Sequence, residues 1–181
     1  MKDEKNIIET IKRSKIIAII RGIDKEHILK TAEALLKGGI KVMEITLNRE
    51  DAMESIEVVK KEFGNEMLLG AGTVLTDKQV KESNEAGAYF IVSPNTDRSV
   101  IEQTKNLSMV SIPGAFTPSE IVKAHELGAY FVKLFPAGSI GAGYIKAVRA
   151  PLDHIPLLAV GGVNIDNMTE FLKAGAAGLG I

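Results

Sequence analysis

The sequence of 181 residues predicts an α/β protein, a single closed parallel (β/α)8 barrel of the TIM type that spans residues 1–181. Short apolar runs rich in β-branched residues alternate with amphipathic segments along the chain. Several successive runs start 21 residues apart, at positions 67, 88, 109 and 130 and again at 156 and 177. That spacing fits one strand, two short loops and a helix of about eleven residues.

Eight apolar runs are the predicted strands, and they cover residues 16–20, 40–46, 67–71, 88–92, 109–112, 130–135, 156–160 and 177–181. Each run is continuously apolar, which is typical of parallel strands buried on both faces. Because each strand returns through a helix, a closed barrel is favoured over an open doubly wound sheet. Residues 4–15 form a further amphipathic pattern and predict an extra N-terminal helix that could plug the barrel.

Three predicted helices end at a Gly-Ala pair, with the glycines at Gly87, Gly128 and Gly175. A glycine can adopt the left-handed conformation that commonly terminates a helix. The alanine that follows then begins the next buried strand. This repeated junction indicates that the units are built to one plan.

Composition narrows the function classes. Lysine and arginine (22) nearly balance aspartate and glutamate (23), so no basic surface for nucleic acid or anionic membrane is expected. Cysteine is absent, no apolar stretch approaches membrane length, and the acidic run 1–5 is unlike a signal peptide. We therefore expect a cytoplasmic protein that acts on a small molecule.

Lys133 is the most informative residue, because its neighbours in the run 130–136 are all apolar. Burial disfavours the charged ammonium and lowers the pKa of the amine, so a buried lysine can attack a carbonyl carbon near neutral pH. The alternative is a lysine whose stem packs while its head reaches water. Schiff-base chemistry is the first hypothesis.

Two further charged residues lie in or beside predicted strands, Arg21 after the first and Glu44 within the second. Strand side chains alternate between faces, so Arg21, Glu44 and Lys133 all converge if their faces point inward. Charges of both signs would partly compensate one another, and a purely structural ion-pair network is the alternative. Catalysis is favoured because the chemistry of such barrels lies at the C-terminal strand ends.

The loops after the strands supply further candidates. Residues 70–75 are not a dinucleotide fingerprint, because Leu75 stands where the third glycine is required. We interpret the segment as a tight turn with exposed N–H groups and with the Thr73 hydroxyl available to a carboxylate. Gly161 and Gly162 follow the seventh strand, where barrels commonly bind phosphate on glycine backbone and a helix N-terminus.

The histidines are His27, His125 and His154, and none ends a predicted strand. We expect them at the surface. No spacing resembles a zinc or facial-triad site, so a metal-dependent enzyme would have to bind its ion almost wholly through carboxylates.

Seven segments in order resemble the bacterial 2-keto-3-deoxy-6-phosphogluconate (KHG/KDPG) aldolases: AIIR at 18–21, GIKVMEIT at 39–46, GAGTV at 70–74, IVSP at 91–94, IPG at 112–114, KLFP at 133–136 and GGV at 161–163. The resemblance implies a cofactor-free class I aldolase of the Entner-Doudoroff type, commonly a homotrimer. Its substrate would be a phosphorylated 2-keto acid that is cleaved to pyruvate and glyceraldehyde 3-phosphate.

The resemblance also implies residue roles. Lys133 is the Schiff-base lysine and Glu44 the proton carrier. Arg21 binds the substrate and Thr73 holds the pyruvyl carboxylate. Gly161 and Gly162 bind the phosphate. The remaining substrate-binding residues are Asn48, Arg49, Pro94 and Phe135.

Two features depart from the family pattern. Many relatives carry arginine at the position of Asn48, where this chain has arginine one residue later, at Arg49. Asparagine there also occurs in the related phosphogalactonate aldolases, so that substrate and 4-hydroxy-2-oxoglutarate stay open. The chain also stops at Ile181, inside strand eight and before the closing helix of the relatives. We expect a fragment of a longer protein, with the outer face of strand eight uncovered.

Two other classes remain alternatives. A sugar-phosphate epimerase or isomerase barrel would use carboxylates and need no lysine in strand six. A non-catalytic phosphosugar-binding barrel or trimeric scaffold would bind ligand without turnover.

Overall fold

A computed structural model describes residues 3–181, and the first two residues of the acidic N-terminal run lie outside that part. It contains the nine strands β1 Ile16–Ile20, β2 Val42–Thr46, β3 Leu68–Gly72, β4 Phe90–Val92, β5 Val110–Ile112, β6 Gly114–Ala115, β7 Val132–Leu134, β8 Leu157–Val160 and β9 Gly178–Gly180. Each of the eight predicted runs overlaps a strand, although most strands are shorter than predicted.

The strands form one sheet in the order β5-β4-β3-β2-β1-β9-β8-β7-β6, and all the pairs are parallel. The two edge strands, β5 and β6, are separated only by Pro113, so the sheet is a nearly closed barrel. The predicted (β/α)8 architecture is confirmed. The fifth barrel strand is divided because proline lacks the N–H that a continuous ladder requires.

The helices of the described residues are α1 Glu4–Ser14, α2 Lys25–Lys37, α3 Ala52–Phe63, α4 Asp77–Glu85, α5 Arg98–Asn106, α6 Pro118–Glu126, α7 Ala137–Ile140, α8 Ala142–Arg149 and α9 Met168–Lys173. Two helices, α7 and α8, follow β7 because Gly141, at φ 80°, interrupts the segment. The junction glycines Gly87, Gly128 and Gly175 have φ of 102°, 97° and 103°, as predicted. No helix in this part of the chain is long and apolar enough to cross a membrane.

Alternating strand residues fill two separate apolar regions. Met43, Ile45 and Leu69 belong to a cluster between the barrel and the helices. Val42 and Leu68 belong instead to the barrel interior, together with residues from β1, β4, β5 and β8 and with Phe131, which directly precedes β7. This pattern decides which side of each strand faces inward.

Helix α1 is the predicted extra helix, and it closes the N-terminal end of the barrel. The Asp3 side chain caps it by accepting a hydrogen bond from the Asn6 N–H at 2.7 Å. Ile7 and Ile11 are buried in the same cluster as the interior residues Leu68 and Phe131. The plug therefore separates the barrel interior from water at this end.

The predicted exposure of the outer face of strand eight is wrong for its central side chain. Leu179 of β9 is fully buried in a cluster that includes Phe171 of α9 and Ala159 of β8. Ile181 is 41% exposed. The helix before β9 therefore covers the position that was expected to be open.

We expect Ile7→Ala to destabilise the fold by about 2–5 kcal/mol, the usual range for emptying a fully buried isoleucine site. Urea denaturation would measure the change. Ile165→Ala is the matched control, because Ile165 is 81% exposed and should change stability by no more than about 0.5 kcal/mol. Equal effects of the two substitutions would contradict the role of α1 as a packed plug.

Candidate active site

Lys133 occupies the middle of β7, and its side chain points into the barrel. Its strand neighbours Val132 and Leu134 pack outward against the helices, while Phe131 lies inside. Lys133 is only 4% exposed, so its head does not reach bulk water. Burial lowers the pKa of its amine; Glu44 opposes this shift and Arg21 adds to it. The amine therefore loses its proton more easily than a surface lysine.

Glu44 occupies the middle of β2 and also points inward, because Met43 and Ile45 pack outward. It is 2% exposed. Burial raises the pKa of its carboxyl, and the cations of Lys133 and Arg21 oppose that shift. A carboxyl with a raised pKa holds a proton more readily than a surface carboxyl, so it is better suited to give a proton and to take it back.

Lys133 and Glu44 each shift the pKa of the other, but they do not form an ion pair. Among the described residues, neither Lys133 nor Glu44 has an ion-pair partner within 4.0 Å. The alternative of a structural salt-bridge network therefore has no contact to support it. The Lys133 Nζ lies instead 4.8 Å from the centre of the Phe135 ring, a cation–π distance.

Arg21 follows the end of β1 directly and is exposed to solvent. Its positive charge acts on both Glu44 and Lys133. Arg21 therefore lies at the mouth of the barrel, where it can meet an anionic substrate without being buried itself.

Arg49 is held by acids of neighbouring loops. Its Nη2 is 3.0 Å from the Asp24 Oδ1, and its Nε is 2.9 Å from the Asp51 Oδ1. The side chain thus ties the loop after β1 to the start of α3. Of the predicted binding residues, Arg49 is the one whose guanidinium already has two carboxylate partners.

Thr73 and Asn48 come from adjacent loops and approach each other. The Thr73 Oγ1 donates to the Asn48 Oδ1 at 3.4 Å, a long hydrogen bond. Thr73 has φ 59°, which is uncommon for a β-branched residue and turns the chain sharply after β3. The two side chains form one wall beside the barrel mouth.

The interpretation of residues 70–72 as a tight turn is wrong. They are the last residues of β3, and the bend begins only at Thr73. A Cβ added to Gly70 would overlap the Phe90 ring, and one added to Gly72 would overlap the Glu44 carboxylate. These glycines make space inside the barrel, a role that the sequence analysis did not predict. The signal for it was that two glycines lie two residues apart within one strand, so that both face the same side.

Gly161 and Gly162 form the loop after β8 and both have positive φ, 86° and 75°. The Gly161 carbonyl accepts from the Gly138 N–H at 2.7 Å, and the Gly162 carbonyl accepts from the Asn167 side chain at 2.9 Å. With both carbonyls engaged, the loop is fixed in a left-handed conformation. The next helix, α9, begins six residues after Gly162, so its N-terminus does not adjoin the pair as predicted.

Phe135 and Pro94 are half-buried at the rim. The Phe135 ring packs so closely on Gly161 that a Cβ there would lie 2.9 Å from it. The backbone of Pro94 packs equally closely on Gly114, where an added Cβ would lie 2.2 Å from the Pro94 oxygen. Both contacts join the ends of different barrel strands.

The three histidines are exposed on α2, on α6 and in the loop before β8. Within residues 3–181, no three or more histidine, cysteine, aspartate or glutamate side chains are grouped as a metal site would need. The described chain therefore offers no preformed cluster of protein ligands.

A buried lysine and a buried carboxyl group in one barrel interior are an arrangement that can act on a carbonyl compound. Residues 7–180 match the aldolase family described as KDPG and KHG aldolase. The chain belongs to this family of aldolases.

Individual relatives agree with the family. The chain is 38% identical over 167 residues to the 2-dehydro-3-deoxy-6-phosphogalactonate aldolase of Escherichia coli, covering 92% of this chain and 82% of that protein. It is 34% identical to the 2-dehydro-3-deoxy-phosphogluconate aldolase of Treponema pallidum, covering 92% and 79% respectively.

A solved structure is also similar, that of the KDPG aldolase of Legionella pneumophila with pyruvate captured as a covalent carbinolamine intermediate. The TM-score is 0.90 at 31% identity, and the match covers 99% of this chain and 86% of that one.

We expect the pKa of Lys133 to respond in opposite directions to loss of its two charged neighbours. Glu44→Gln removes an anion that stabilises the ammonium, so the pKa should fall further. Arg21→Gln removes a cation that destabilises the ammonium, so the pKa should rise. The pH dependence of brief acetylation at Lys133, followed by peptide mass spectrometry, measures both shifts.

Arg98→Gln is the control, because Arg98 pairs with Glu102 on the surface of α5. It should leave the Lys133 profile unchanged. Shifts of the same sign in the Glu44 and Arg21 variants would contradict this electrostatic description.

Proposed function

We propose that the protein is a class I aldolase that cleaves 2-keto-3-deoxy-6-phosphogluconate to pyruvate and glyceraldehyde 3-phosphate. The proposal includes cleavage of 4-hydroxy-2-oxoglutarate, the compound abbreviated KHG in the description of the family. The observation that carries the proposal is the placement of Lys133 and Glu44 in one barrel interior, both almost fully buried. Their pKa shifts run in the directions that such chemistry needs.

Carbon–nitrogen bond formation comes first. The neutral amine of Lys133 adds to the C2 ketone of the substrate and gives a carbinolamine. Protonated Glu44 gives a proton to the carbinolamine oxygen, water leaves, and a positively charged iminium forms. Burial raises the pKa of Glu44, which favours the protonated form that this step needs.

Carbon–carbon cleavage follows. The Glu44 carboxylate takes the proton of the C4 hydroxyl, the C3–C4 bond breaks, and its electron pair moves to the iminium nitrogen. Glyceraldehyde 3-phosphate leaves and an enamine remains on Lys133. Glu44 returns the proton to C3, and water then hydrolyses the iminium to release pyruvate.

The surrounding groups would bind the two charged ends of the substrate. Thr73, whose hydroxyl donates a long hydrogen bond to Asn48, would hold the pyruvyl carboxylate. Arg21, at the mouth of the barrel, would also bind the substrate. The N–H groups of Gly161 and Gly162 would bind phosphate, because their carbonyls are already hydrogen-bonded elsewhere. Pro94 and Phe135 would line the opening, with the Phe135 ring stabilising the cationic nitrogen.

We expect pyruvate plus borohydride to leave a reduced adduct on Lys133, located by peptide mass spectrometry. Lys133→Met should abolish the adduct and lower substrate cleavage by roughly 10³-fold or more. The trapping rate should rise with pH until Lys133 is deprotonated and level off below the ordinary lysine pKa of 10.5, because burial lowers its pKa.

Lys123→Met serves as the matched control, since Lys123 is exposed on α6. It should keep both the adduct and the activity. Unmodified Lys133 in the wild-type protein, or an adduct on a surface lysine instead, would contradict the proposal of a Schiff base at Lys133.

The phosphogalactonate substrate is the second candidate. It is favoured by Asn48 in place of arginine and by the relative at 38% identity that carries this activity in its name. The two substrates differ in configuration at C4, the carbon whose hydroxyl Glu44 would deprotonate. Both give the same products, so discrimination must arise where the C4 hydroxyl meets the barrel.

A coupled assay of pyruvate release decides between the candidates. We expect a higher kcat/KM for the phosphogluconate than for the phosphogalactonate, by about tenfold, which corresponds to one well-placed polar contact. The reverse preference would establish the second candidate. Turnover of neither substrate, with ligand binding retained, would favour a non-catalytic phosphosugar-binding barrel.

We also propose that the enzyme is a cytoplasmic homotrimer that serves the Entner-Doudoroff pathway. The family resemblance supports this assembly and this role.

A further inference from the structure

The inner face of β3 carries two glycines, and each faces a large side chain from a neighbouring strand. A Cβ built on Gly70 would lie 2.2 Å from the Phe90 ring in the apolar part of the barrel. A Cβ built on Gly72 would lie 1.9 Å from the Glu44 Oε1 and 2.6 Å from its carboxyl carbon. The Glu44 carboxyl group therefore rests directly on the backbone of Gly72.

Backbone conformation does not explain the glycine at position 72. Gly72 ends a regular strand, and it is not among the glycines with positive φ. Its register partner on β2 is Thr46, and its carbonyl accepts from the Leu47 N–H at 2.8 Å. Alanine could adopt this extended backbone without strain. What excludes a side chain is the space that the carboxyl group occupies.

We propose that Gly72 is a positioning residue for Glu44, which sets where the carboxyl group sits in the barrel. The proposal rests on the proposed function, in which Glu44 carries the protons. A methyl group at position 72 would force the carboxyl group to a new position. Glu44 is buried, so it can move only by changing rotamer within the barrel interior.

The size of the effect follows from reaction geometry. Displacing a catalytic group by about 1 Å can lower a rate by roughly 100-fold. The proposed substrate-binding residues Arg21 and Gly162 are not among the atoms nearest to a Cβ added at position 72, all of which belong to Glu44. Proton transfer should therefore suffer far more than binding of pyruvate.

Gly72→Ala tests this with pyruvate alone. Exchange of the pyruvate methyl protons in deuterium oxide, followed by NMR, reports proton transfer at C3 after imine formation. We expect the exchange rate at saturation to fall by about tenfold to 100-fold. The pyruvate concentration for half-maximal borohydride trapping at Lys133 should change by no more than about threefold, since the ligand anchors are untouched.

A rescue variant separates positioning from general damage. Glu44→Asp shortens the side chain by one methylene group and vacates the space above Gly72. Combined with Gly72→Ala, it should lower exchange by much less than the product of the two single effects, because the contacting pair is coupled. If Gly72→Ala alone fails to fold, the double variant should restore folding; a double variant that also fails would overturn the proposal.

Two controls complete the design. Gly70→Ala places a clash on the same face of β3, but the atoms nearest to the added Cβ belong to the Phe90 ring and not to the Glu44 carboxyl group. Exchange per folded molecule should stay within about threefold of wild type. Gly143→Ala, which meets nothing within 4 Å, should leave both folding and exchange unchanged.

The outcomes are distinguishable. Exchange by Gly72→Ala within twofold of wild type, or an equal loss in Gly70→Ala, would overturn the positioning role. Failure of wild-type protein to form any adduct with pyruvate would instead overturn the proposed function.

Discussion

The site depends on one constraint, the exclusion of water from two opposite charges inside a parallel barrel. Lys133 and Glu44 are 4% and 2% exposed, and burial disfavours the charged form of each. Burial therefore drives the lysine toward the neutral amine and the glutamate toward the protonated acid. The charged form of each group partly opposes the pKa shift of the other. In a surface pair, solvent would screen this mutual effect.

The fold maintains that dry interior at both ends. At the N-terminal end, α1 inserts Ile7 and Ile11 into the same cluster that holds the interior residues of the strands. At the C-terminal end, loops after the strands pack on one another: Phe135 lies on Gly161, and Arg49 ties two loops through Asp24 and Asp51. The plug contributes stability, whereas the rim must also admit a substrate. This difference explains why the closed end is apolar and the open end carries polar side chains.

Strand periodicity made much of this predictable. Because side chains alternate between the faces of a strand, the sequence predicted that Glu44 and Lys133 would converge if their faces pointed inward. The repeated 21-residue unit predicted the barrel. Other features depend on contacts between segments far apart in sequence. The partners of Arg49, the contact of Thr73 with Asn48 and the division of the fifth strand at Pro113 follow from how neighbouring loops and strands meet. Residues 70–72 were misinterpreted for the same reason. In the sequence alone their glycines indicate a turn, but in the paired strand they leave room for side chains of the neighbouring strands.

The glycines of β3 show how a barrel of small diameter accommodates a buried ionisable side chain. An interior filled by side chains from every strand leaves no room for the carboxyl group of a buried glutamate. Gly70 releases space that the Phe90 ring fills, which keeps the lower layer apolar and packed. Gly72 releases space one layer higher, where the Glu44 carboxyl group lies. Glycine thus allows apolar packing at Gly70 and makes room for an ionisable group at Gly72. The core of the barrel gives way to the candidate site between these two positions.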